Sequence, residues 1–161
     1  MKHMFKIQGA SWQLAIPDNI MEQLGSYAQK GWFSKESTGQ LYSSDFSSDT
    51  ITVDLVTKHK PRWALRAGVQ LDLKSIDEER RKMFSRGLHC LGFWHTHPEP
   101  HPTPSPADLT MAAEQARAGR RDFNGLVFVI IGNAPCPQSV GVWVHDGSAL
   151  WEARPHLPVH D

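Results

Sequence analysis

Residues 88–108 read LHCLGFWHTHPEPHPTPSPAD. The run from Leu88 to His97 is largely apolar and reads as a strand interrupted at Gly92. Pro98 to Pro104 admits neither a helix nor a central strand, because proline fixes φ and lacks a backbone donor. Ser105 is a good N-cap, Pro106 suits the first helical position and Asp108 the third. A helix is therefore expected from Ser105, closed by Gly119. Leu126 to Ile131 follows as an all-apolar run, the pattern of a buried strand.

Working outward, Ser11 to Ile16 alternates weakly as a strand. Pro17-Asp18 can open a helix whose apolar stripe is Ile20, Met21, Leu24 and Tyr27, stopped by Gly31. Gly39 to Ser43 reads as a short strand, Ser44 to Asp49 as a polar turn, and Ile51 to Val56 as another strand. Lys58 to Gly68 has no period and reads as a loop. Val69, Leu71 and Leu73 alternate, and Ser75-Ile76-Asp77-Glu78 has the pattern of a capping box opening a charged helix to about Arg86. Ser139 to Val144 alternates, and Asp146-Gly147 is a hairpin turn leading into Ala149 to Glu152. The last residues, ARPHLPVHD, are expected to be loose. Strands and helices are mixed, so the class is α/β or α+β. One domain is expected over residues 1–155, with a loose tail at 156–161.

The chain has 161 residues, 17 Lys and Arg against 17 Asp and Glu, and no net charge. That balance argues against a polyanion as partner, so no nucleic acid is expected. The longest apolar run has six residues, Leu126 to Ile131, far short of a membrane span, and the N-terminus lacks a secretory core. With two cysteines, Cys90 and Cys136, there is no disulfide framework, and a reducing cytoplasm is expected.

Nine histidines and 11 prolines are the unusual counts, and both concentrate in residues 88–108. His95 and His97 are two apart at a strand end, so their imidazoles share a face roughly 7 Å apart along the strand. That suits two nitrogen ligands on one ion. Asp108, in the first turn of the next helix, supplies a third. Two His and one carboxylate leave a coordination position open, as in catalytic zinc sites. Water on such an ion needs a base, and Glu36, in Ser34-Lys35-Glu36-Ser37-Thr38-Gly39-Gln40-Leu41, is the candidate. Ser105 is placed to donate to a developing oxyanion.

The pattern His95-x-His97-Pro98-x6-Ser105-x-x-Asp108, with Glu36-x-x-Gly39-x-Leu41 upstream, resembles the JAMM signature of JAB/MPN metalloproteases. The upstream part departs from the family, because Tyr42-Ser43 replaces the usual small residue and glycine. The resemblance implies a curved mixed β-sheet with flanking helices, similar to the cytidine deaminase arrangement, and one zinc ion per chain. It also implies hydrolysis of a peptide or isopeptide bond after the tail of a ubiquitin-like protein. The segment Gly92 to Glu99 resembles short bacterial stand-alone members encoded beside E1/E2-like conjugation enzymes. These include the deconjugases of CBASS anti-phage operons. Two alternatives stay open: a peptidase that trims a sulfur-carrier protein, and a non-catalytic zinc-binding scaffold.

Each of these residues also has a plainer reading. Ser105 and Asp108 are fully explained as a helix cap and a dipole-matched acid. Glu22, Glu78 and Glu79 read as solvated helix faces, Trp94 as packing, His101 as a solvent-facing loop residue, Cys90 as a buried apolar filler and Cys136 as an exposed loop thiol. A zinc deaminase would need His-x-Glu and Pro-Cys-x-x-Cys. A gluzincin would need His-Glu-x-x-His. The chain has neither.

Overall fold

The apolar run Leu126–Ile131 is buried at all six positions and divides the core in two. The fold is seen in a computed structural model that describes residues 1–60, 63–65, 68–70, 72–119 and 125–157. Its elements are β1 (Lys2–Lys6), β2 (Gln13–Pro17), α1 (Asp18–Ser26), β3 (Thr38–Ser43), β4 (Thr50–Thr52), β5 (Leu55–Val56), β6 (Trp63–Leu65), β7 (Gly68–Gln70), α2 (Leu73–Ser85), β8 (His89–Thr96), α3 (Pro106–Gly119), β9 (Leu126–Ile131), β10 (Val140–His145) and β11 (Leu150–His156). Among the described residues, nine strands form one mixed sheet in the order β4-β2-β1-β11-β10-β9-β8-β3-β5. β8 and β9 are parallel neighbours joined through α3, and their other sheet partners run antiparallel to them.

Side chains alternate across β9. Val127, Val129 and Ile131 join the core that includes Ile20, Met21 and Leu24 of α1. Leu126, Phe128 and Ile130 join Ala112 and Ala116 of α3 on the other face. Each aliphatic side chain buried this way contributes about 1.5–3 kcal/mol, so β9 stabilises the sheet through both faces.

β8 does not follow simple alternation. Its register against β3 jumps, with Leu41 opposite Gly92 but Tyr42 opposite Cys90. The extra residue puts Leu91 and Trp94 in the α1-side core and Phe93 in the α3-side core. Strict alternation would put Leu91 and Phe93 on one face; a β-bulge breaks it and re-aims every later side chain of the strand. Gly92 sits at φ +150, and a Cβ there would lie 1.8 Å from the Val127 carbonyl oxygen.

Several local expectations change. The strand expected over Ile51–Val56 is two short ones, β4 and β5, on different parts of the sheet. The Lys58–Gly68 loop contains β6, which pairs with β7; residues 61–62 and 66–67 lie outside the described residues. Leu73 opens α2 instead of ending a strand, and the N-cap is Asp72, whose side chain accepts from Ser75 N. Lys2–Lys6, not expected as a strand, lies between β2 and β11. The stretch Ala153 to His156, expected loose, extends β11 and pairs with β1 through Met4 and His156. Residues 158–161 lie outside the described residues. No described helix is long and apolar enough to cross a membrane.

Candidate metal centre

The end of β8 and the start of α3 meet as the sequence predicts. Asp108 N donates to Ser105 Oγ at 3.2 Å, and Ser105 N donates back to Asp108 Oδ2 at 2.8 Å. This reciprocal cap fixes the carboxylate beside the strand end. His95 and His97 project from the α3 side, where the His95 ring packs 4.8 Å from Phe128 and 4.7 Å from His97.

The polar atoms converge. Asp108 Oδ1 is 3.1 Å from His95 Nε2, and Oδ2 is 3.1 Å from His97 Nε2. The two Nε2 atoms are 2.9 Å apart. Nitrogens this close hold either one proton between them or a shared cation. A tetrahedral ion bonded at about 2.0–2.1 Å keeps its ligand atoms about 3.3 Å apart; the separation of the two nitrogens is near that, and each nitrogen meets a different oxygen of Asp108. Glu36, on the loop before β3, reaches within 3.8 Å of His95 Nε2. Glu36, His95 and His97 offer ligand atoms that all lie within 4.8 Å of one another, so these residues can hold a metal ion. The donor set therefore fits zinc.

The electrostatics separate the two carboxylates. Burial pushes the Glu36 carboxyl up to about 7, with the Asp108 charge reinforcing it and His97 opposing. Burial also acts to raise Asp108, but hydrogen bonds from both imidazoles outweigh it and hold that carboxyl well below the carboxylate range. Burial holds the His95 imidazole below its ordinary value. At His97 the same burial effect is outweighed by Asp108, Glu36 and Glu99, so that imidazole is raised.

Sequence reading missed Glu99. Its Oε1 is 3.2 Å from His97 Nδ1, where a ligating imidazole ordinarily has an outer partner. The contact lies off the hydrogen-bond direction, and the buried Nδ1 atoms of both histidines have no aligned partner among the described residues. The acidic residue two places after His97 was the available signal. Gln29 was also missed, and nothing in its local sequence marks it.

Other readings divide. Trp94 is fully buried and stacks on Tyr27 with ring centroids 4.9 Å apart. Glu22 and Glu78 are exposed, as is His101. Glu79 is not a solvated face: it accepts from Tyr42 and pairs with His59. Cys90 is partly buried among polar groups and donates to Gln40 Oε1. Cys136, expected exposed, packs partly buried against the α1-side core.

The sequence pattern of the prokaryotic homologues of the JAB domain matches residues 19–145. A solution structure of a protein from Desulfitobacterium hafniense superposes with a TM-score of 0.62 at 20% identity, covering 90% of this chain and 95% of that one. A solution structure of a protein from Salinibacter ruber gives 0.53 at 18% identity, covering 91% and 90%. At these identities the likeness concerns the fold. A search of curated proteins found no significant match.

Proposed function

The chain belongs to the prokaryotic homologues of the JAB domain, and from that premise we propose that it is a zinc-dependent peptidase or isopeptidase. The observation that carries the proposal is the pair of imidazole Nε2 atoms 2.9 Å apart, bridged by Asp108 and approached by Glu36.

His95, His97 and Asp108 hold the ion in this reading. Metal ligands must be deprotonated; Asp108 is held ionised and His95 neutral. When bound, zinc polarises a carbonyl and acidifies water. Glu36 takes a proton from the attacking water and returns it to the leaving amine, a task suited to a carboxyl that titrates near neutrality. The Ser105 hydroxyl accepts from Asp108 N and so keeps its own proton for the developing oxyanion.

The proposed substrate is the extended tail of a ubiquitin-like protein, or of a protein conjugated through such a tail. Support comes from Trp32 and Phe33, 77% and 91% exposed in the turn just before Glu36. Large apolar side chains displayed beside a site favour a protein-sized partner. A place beside E1/E2-like enzymes, as in anti-phage deconjugation, and a cytoplasmic setting belong to the same proposal.

The test is elemental analysis of wild type and His97→Ala. About one zinc per chain, lost in the variant, is expected. No zinc in the wild type, even after zinc addition, would overturn the reading.

A further inference from the structure

Gln29 lies beyond α1, which ends at Ser26 with Tyr27 as its cap, and it belongs to no regular element. It is nevertheless only 1% exposed. A side-chain amide withdrawn from water is costly unless it is hydrogen-bonded. Gln29 Oε1 accepts from Thr96 Oγ1 at 3.0 Å, and Gln29 Nε2 donates to the Ser34 carbonyl at 3.1 Å.

Both partners lead to Glu36. Thr96 stands between His95 and His97 in sequence, and its hydroxyl also accepts from Ser37 N at 2.9 Å. Thr96 N donates to the Ser37 carbonyl at 3.0 Å. Glu36 is thus bracketed, tied at Ser34 by Gln29 and at Ser37 by Thr96, with Gln29 joining the two ties. The hydroxyl proton of Thr96 is committed to Gln29, so its oxygen is free to receive the Ser37 amide. Bonds chained in one direction strengthen each other. Lys35 is exposed, and the turn at Gly31–Ser34 displays Trp32 and Phe33.

We propose that Gln29 is a positioning residue for Glu36: through Ser34 and Thr96 it sets that carboxylate against His95. The inference rests on the reading of Glu36 as the proton-transfer group. In this role Gln29 acts by holding the loop through Ser34 and Thr96.

Two measurements on the full-length chain separate this inference from the reading beneath it. The first is amide hydrogen exchange in metal-free protein. Gln29→Leu and Thr96→Val are expected to speed exchange at Ser37 N at least about tenfold, as a lost local hydrogen bond does, and Thr96→Ser to stay near wild type. Unchanged exchange in both disrupting variants overturns the tether whether or not metal binds. The second is the visible spectrum of cobalt-loaded protein followed against pH. Glu36→Gln is expected to move its midpoint by about one pH unit, the effect of removing a neighbouring charge. Gln29→Leu and Thr96→Val should move it in the same direction with cobalt content unchanged, and Thr96→Ser should restore it. A wild-type midpoint in both disrupting variants, with Glu36→Gln shifted, overturns the positioning role. If Gln29→Leu does not fold, the Thr96→Val and Thr96→Ser pair decides alone. A wild type that takes up no cobalt overturns the metal reading and the positioning role with it, and leaves the exchange result as a test of the tether.

Discussion

The sharpest prediction separates the two carboxylates. Asp108→Asn removes a charge but keeps one amide oxygen, enough to accept the bond that Ser105 N donates at 2.8 Å. The cap on α3 therefore survives, but the metal-free protein near pH 8 should melt at a lower temperature, because the imidazole hydrogen bonds that hold the Asp108 carboxyl below its ordinary range favour an ionised form the amide cannot supply. Zinc affinity should change strongly. Structural zinc sites bind with about 10–16 kcal/mol over four ligands, or about 3 kcal/mol each. Losing one ligand then weakens binding on the order of 100-fold. Glu36→Gln should leave the dissociation constant near wild type, because the carboxylate stands 3.8 Å from the nearest imidazole nitrogen. It should lower cleavage of a susceptible ubiquitin-like fusion by about 10²–10⁴, the usual contribution of a general base. The assay is competition with a chromophoric zinc chelator for wild type and both variants. The reverse result, a wild-type constant for Asp108→Asn and a hundredfold loss for Glu36→Gln, would refute the assignment. It would make Glu36, His95 and His97 the ligand set.

Zinc affinity should also fall as pH drops, since the surrounding carboxylates raise the His97 imidazole above its ordinary value and the metal must displace that proton. A chelator titration should show about tenfold weakening per pH unit below neutrality for each proton displaced; a constant affinity between about pH 5.5 and 8 would remove His97 from the ligand set. Gly92→Ala should cost at least about 4 kcal/mol, lowering Tm by roughly 10 °C or abolishing the soluble fold, because its Cβ would lie 1.8 Å from the Val127 carbonyl oxygen; an unchanged melting curve would contradict the close approach of β8 and β9. Asp146 accepts from Ser148 N and Ala149 N at 2.8 Å each and from Trp151 Nε1 at 2.9 Å, and these bonds lower its carboxyl to about 2. Its contribution is present above about pH 4 and lost as pH falls through about 2, so the gap in urea midpoint between wild type and Asp146→Ala should close on acidification; a constant gap would deny the carboxylate that role.

Much of the site was legible because its members are close in sequence and each position carries a local rule. Strand alternation put His95 and His97 on one face, and capping chemistry placed Ser105 at the N-cap of α3 and Asp108 in its first turn, as observed. Glu36 is legible only through the family pattern it resembles, since a glutamate before a strand has no local signature. The misjudged elements fail for one reason. Lys2–Lys6 and Ala153 to His156 are short, polar or proline-bearing, and they become strands through long-range pairing: they pair with each other, Lys2–Lys6 also pairs with β2, and Ala153 pairs with Val142 of β10. Propensity is a weak prior against such pairing. Glu79 likewise looks solvent-facing until α2 packs on the sheet and brings Tyr42 and His59 to it.

The sequence by itself determined which side chains are the candidate metal donors and that His95 and His97 share a face, because donor type and strand period are properties of neighbouring residues. Only the tertiary structure decided how those side chains meet. The bulge at Leu91 sets which core the end of β8 faces, the parallel pairing of β8 with β9 depends on a glycine whose neighbour is 35 residues away, and the tie from Gln29 through Thr96 holds Glu36 across 67 residues of chain. A contact between distant segments exists only once the sheet has formed, and neither residue carries a mark of it beforehand.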